Sequence, residues 1–68
     1  MAEVVIDFQH KLLAYIELNN ITVAWLARKS GISESTVRAW ALGISEPTLY
    51  NLRLLCEATD TRADWWVW

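Results

Sequence analysis

Only two glycines and one proline stand in 68 residues, and each falls where an apolar stripe of helical spacing ends or begins. From Val5 to Glu17 the stripe is Val5, Phe8, Leu12, Tyr15 and Ile16, three and four apart as on one helix face. Asn19-Asn20 breaks it. Thr22 is the expected N-cap of a second short helix, in which Val23, Leu26, Ala27 and Ser30 share a face. Gly31 stops that helix, because glycine takes the left-handed conformation without steric cost. Ser33 caps a third helix, expected over about residues 34–42, and Gly43 ends it. Pro47-Thr48 opens a fourth, with Leu49, Leu52, Leu55 and Cys56 on one side. The closing stretch TRADWWVW reads as a short fifth helix or an ordered tail. No segment alternates like a strand, so the expectation is an all-α chain of five short helices, one domain over residues 1–68.

Such a chain is short but not poor in core. Apolar residues make up 54% of it, too many for a disordered segment. A domain of this size buries only about 60% of the surface its unfolded chain exposes, which leaves no room for a second domain or a deep cleft. The single cysteine, Cys56, cannot form an internal disulfide, so a reducing cytoplasm is the expected compartment. Cys56 itself reads as a small buried or half-buried thiol on a helix. The start, MAEVVIDFQHKL, has neither a basic leader nor a long apolar run, so no signal peptide or membrane span is expected. His10 is the sole histidine; no Cys or Ser stands at a recognisable catalytic spacing from it, and the sequence holds no zinc-ligand cluster. Asp60 and Asp64 share a segment but no enzyme-sized cleft. The reading is of a non-enzyme with no cofactor and no metal.

Charge limits the partners. Six Lys and Arg stand against eight Asp and Glu, a formal charge of −2 and a pI of about 5.1. Proteins that grip phosphates by counterion release usually show a basic face. Here Lys11, Arg28, Lys29, Arg38, Arg53 and Arg62 are scattered.

Helix, short turn with glycine, helix is the helix-turn-helix arrangement, placed here at about residues 22–43. From Ile21 to Trp66 the chain resembles the lambda-repressor-like helix-turn-helix family of phage repressors and Cro proteins. The resemblance is carried by Leu26-Ala27, Gly31, Ser33, Val37, Trp40, Gly43, Pro47, Leu49, Leu52, Leu55, Ala58 and Asp64-Trp65, in register and without insertion. It implies five helices with the third in the major groove. It also implies that Glu34, Ser35, Arg38 and Ala39 face bases or adjacent backbone, with Leu42 near a phosphate. Trp40 and Trp65 match core positions, while Trp66, Val67 and Trp68 suggest an apolar patch or a partner contact.

The residues depart from a phosphate clamp. Thr22 and Ser33 can offer hydroxyls beside helix-start N–H groups, although N-capping alone explains both. Val23 donates nothing where the family commonly has a polar residue. Glu34 can accept from cytosine or simply favour the helix dipole. Arg38 is the one long cation of the third helix, suited to guanine, phosphate or a carboxylate. Ala39 reaches at most a thymine methyl, and Ala41 and Leu42 are apolar where charge is usual. Trp25 lies outward on the second helix, where tryptophan often anchors a protein interface. Thr59 and Thr61 replace aliphatic residues and are expected to loosen the packing. Leu54 and Tyr50 read as outward apolar residues.

Three functional readings follow. The favoured one is a regulator of a phage-type genetic switch, an antirepressor or modulator. Its face of Val23, Trp25, Glu34, Ser35, Arg38, Ala39 and Leu42 would hold a partner protein such as a repressor. The close alternative is a Cro-like repressor binding operator DNA through the helix at 34–42, with Thr22, Ser33 and Arg38 at phosphates. The third, weaker, is an antitoxin.

Overall fold

The computed structural model describes residues 8–66. They form α1 (Phe8–Leu18), α2 (Val23–Ser30), α3 (Glu34–Ala41), α4 (Leu49–Thr59) and α5 (Ala63–Trp66). The all-α architecture of five helices is as the sequence implies. Val5, Val67 and Trp68 lie outside the described residues.

Each boundary has a local cause. Asn20 ends α1 with a positive φ of 54°, which asparagine tolerates better than most residues. The Asn19 side-chain amide donates to the Tyr15 carbonyl at 2.9 Å, and the Ile21 N–H reaches the Ile16 carbonyl. At the far end of α4, Asp60 takes the left-handed conformation and donates its N–H to the Cys56 carbonyl. Thr48 caps the start of α4 by accepting from the Asn51 N–H. α3 stops one residue before the expected Leu42, which serves as its C-cap.

The core gathers one stripe from each helix. Phe8 and Leu12 of α1 meet Leu26 and Ala27 of α2, Val37 and Trp40 of α3, Leu52 and Leu55 of α4 and Trp66 of α5, with Ile32 from the turn. The Phe8 ring sits edge-on to Trp40, with centroids 5.6 Å apart, and 5.7 Å from Trp66. Edge-to-face pairs suit the aromatic quadrupole. Trp40 and Trp66 are the two largest fully buried side chains. Each takes roughly 200 Å² out of water, about 5 kcal/mol at 25 cal/mol/Å².

Four expectations change in the C-terminal third. Trp66, not Trp65, fills the core: Trp66 is 0% exposed and Trp65 is 37% exposed. α5 is a single turn, and a one-residue shift there swings a side chain by about 100°. Leu49, expected on the core side of α4, is 85% exposed, because the first turn of α4 stands clear of the core. Leu54, expected outward, is half-buried against the core. Thr59 and Thr61 tighten the packing instead of loosening it. The Trp66 indole N–H donates to Thr61 Oγ1 at 2.6 Å, Thr61 and Thr59 share a hydroxyl bond of 2.8 Å, and Thr59 donates to the Leu55 carbonyl. This run of bonds satisfies the one polar atom of a buried tryptophan, which would otherwise cost about 1–3 kcal/mol.

Candidate nucleic-acid interface

The helix-turn-helix is built from its caps. Thr22 has extended backbone angles, and its hydroxyl accepts from the Trp25 N–H at 3.0 Å. At the other end Gly31 sits at φ 76° and donates to the Ala27 carbonyl. A Cβ at Gly31 would meet nothing within 4 Å, so the backbone angle alone calls for glycine. Ile32 then plugs the turn, buried, while the buried Ser30 hydroxyl turns back onto the Leu26 carbonyl. Ser33 starts α3, accepting from the Thr36 N–H at 3.3 Å and pairing with the Thr36 hydroxyl at 2.7 Å.

Two residues fix which side of α3 looks out. Val37 and Trp40 are fully buried, which leaves Glu34, Ser35 and Arg38 exposed and Ala39 half-buried. Positions i and i+4 are neighbours on a helix face, and Arg38 bonds through its guanidinium to the Glu34 carboxylate. The single long cation of α3 is thus oriented by, and partly neutralised against, its own acid.

A contact the local sequence pattern does not announce sets the end of α3. Gln9 of α1 donates its side-chain amide to the Ala41 carbonyl at 3.0 Å, across 32 positions of chain. Gly43, at φ 76°, lies against the same glutamine: a Cβ there would meet Gln9 Oε1 at 2.8 Å. Gly43 therefore serves both the backbone angle and the close approach of Gln9.

The remaining candidates divide. Trp25 is 39% exposed and lies outward, as expected. Val23 is half-buried and packs against the core, because it belongs to the inward stripe of α2; it offers less surface than the recognition-face reading assumed. Leu42 stands exposed beyond α3, followed by Ile44, Leu49 and Tyr50, all exposed. Thr22 and Ser33 spend one acceptor each on a cap, which leaves the hydroxyl hydrogen of Thr22 for another partner. Among the described residues no cluster of His, Cys, Asp or Glu could hold a metal ion. Among the same residues no helix is long and apolar enough to cross a membrane.

A family model described as helix-turn-helix matches residues 12–66. No curated protein and no solved structure matches the chain.

Proposed function

The chain belongs to the helix-turn-helix family of Cro- and repressor-type DNA-binding regulators, and we propose that it regulates transcription by reading operator DNA through α3. The sequence alone leaned towards a protein partner, on a pI of about 5.1 and an apolar outer face. The family match favours DNA at least as well as that reading and gives no support to an antirepressor role. The observation that carries the proposal is the orientation of α3. Val37 and Trp40 lock one side inward, and Glu34, Ser35 and Arg38 stand outward on the helix that this fold lays in the major groove.

In that pose Arg38 donates to the O6 and N7 of guanine, and Glu34 either holds the guanidinium in place or accepts from a cytosine amine. The Ala39 methyl suits a thymine methyl. The N–H groups at the starts of α2 and α3, beside Thr22 and Ser33, face phosphates. One cation on α3 makes a weak electrostatic grip. The salt dependence should therefore be shallow, with specificity carried by base edges more than by phosphates.

A second reading keeps a partner protein on this face. It rests on Trp25, exposed on α2, and on the Glu34–Arg38 pair, which a complementary pair on a protein can replace. One titration separates the two. The full chain is mixed with duplex DNA, including its own upstream region, at two salt concentrations, with tryptophan fluorescence as the signal. Micromolar or tighter binding to one duplex, weakened about tenfold by Arg38→Ala, supports the DNA reading. No binding even at low salt removes it and leaves the protein partner.

A further inference from the structure

We propose that the cleft between α1 and α5 is a binding site for a small planar aromatic anion, separate from the face of α3. The cleft is shallow and open to solvent, with a volume of about 440 Å³, and is lined by Lys11, Thr61, Arg62, Asp64 and Trp65, room for one small ligand lying on the surface. Two cations against one carboxylate give its wall the sign opposite to the chain's net charge of −2. Locally, an anion is the favoured guest.

Trp65 supplies the other half of the specificity. Its ring stands edge-on to Trp66, 82° between planes, and to Tyr15, 73° between planes. Two ring contacts hold the indole still, so a guest packing on it pays little ordering cost. The Lys11 ammonium lies 4.9 Å from the centroid of that ring, attracted by the aromatic face. An incoming anion draws the ammonium to itself and bares the indole surface for the guest's ring. Arg62 reaches Asp64 at 3.4 Å, with both side chains mostly exposed. That pair is weak, so Arg62 is free to turn its guanidinium to the anion. The Thr61 hydroxyl is already engaged by Trp66 and Thr59 and takes no part. A ring without charge would leave the cations unused, and an anion without a ring would leave Trp65 unused.

The test is a nitrogen–proton NMR titration of the full chain with no DNA present, so its outcome is independent of the operator reading. Salicylate and adenosine monophosphate are the two arms, an aromatic carboxylate and an aromatic phosphate. Benzyl alcohol and inorganic phosphate are the controls. The expected result is a saturable shift at Lys11, Arg62 and the Trp65 indole at about millimolar concentration or below for at least one arm. Each control should bind at least about tenfold more weakly. Trp65→Leu should weaken the complex about tenfold, and Arg62→Gln, at a mostly exposed position, about threefold. Native-like spectra of both variants show that they remain folded. No saturable shift at these residues with either arm overturns the proposal. So does a control that matches the arms, or an affinity unchanged in both variants.

Discussion

The segment from Thr22 to Gly43 and the segment from Pro47 to Trp66 are built by different rules. In the first, the caps and the turn are set by residues a few positions away, Thr22 on Trp25, Gly31 on Ala27, Ser33 on Thr36, and only the end of α3 leans on distant chain, through Gln9. In the second, the outcome depends on a distant surface. Trp66 is buried because α1 presents Phe8 and Tyr15 to it and because the Thr61 hydroxyl receives its N–H. Local rules make a rigid, readable element. The distant ones close the core over it.

The largest effect should come from the two adjacent tryptophans. Trp66→Ala empties a fully enclosed position and should cost about 3–5 kcal/mol, a large share of the stability of so small a domain. Trp65→Ala, at a half-exposed position, should cost about 1 kcal/mol. Thermal and urea melts followed by circular dichroism measure both. Equal losses, or a larger loss at Trp65, would break the comparison, since α5 would then not be anchored by the buried ring.

The two glycines sharpen it further. Both sit at φ 76°, and alanine in the left-handed region costs about 1–2 kcal/mol. At Gly31 nothing else opposes a Cβ, so Gly31→Ala should show that cost alone. Gly43→Ala adds a clash with Gln9 and should lose more. Gln9→Ala alone removes the Ala41 cap, but in the Gly43→Ala background it also removes the clash and should cost less than it does by itself. Urea denaturation of the four proteins gives the coupling. Additive losses would mean that Gln9 moves aside freely and that α1 does not fix the end of α3.

The same division explains how far the sequence could be read. Thr22, Gly31, Ser33 and Gly43 declare themselves, because capping and a positive φ are properties of a few consecutive residues. Val37 and Trp40 follow from helical spacing and resemblance together. Gln9 carries no such signal, since its partner carbonyl is 32 positions away. α5 defeats periodicity for a different reason: one turn holds no repeat by which Trp65 and Trp66 could be told apart. Leu49 repeats the stripe of Leu52 and Leu55, but spacing says nothing of where the neighbouring helices end. On the outward face, the Glu34–Arg38 pair is legible as an i, i+4 couple. Which partner replaces it is a matter of what the surface meets, and the family match, not the charge, moves the weight to DNA.

The smallest expected effect tests the C-terminal segment at its thiol. Cys56 is half-buried on α4. Burial, the largest cause, lifts its pKa above the ordinary value of 9.0; the Thr61 hydroxyl opposes the shift, and the Asp64 and Glu57 carboxylates add to it. A thiol held neutral by the fold stabilises the folded state below the unfolded pKa, and that contribution is lost as pH rises through the folded pKa. Stability measured by urea melts should therefore fall more steeply above about pH 9 in the native chain than in Cys56→Ala, with the two curves parallel at lower pH. Because the thiolate is the reactive species, alkylation by iodoacetamide at pH 8 should also be slower in the folded chain than in urea. A parallel alkaline fall in both proteins would show that the thiol titrates as in water. The packing of α4 against the turn at Thr61 would then be looser than the hydroxyl run to Trp66 requires.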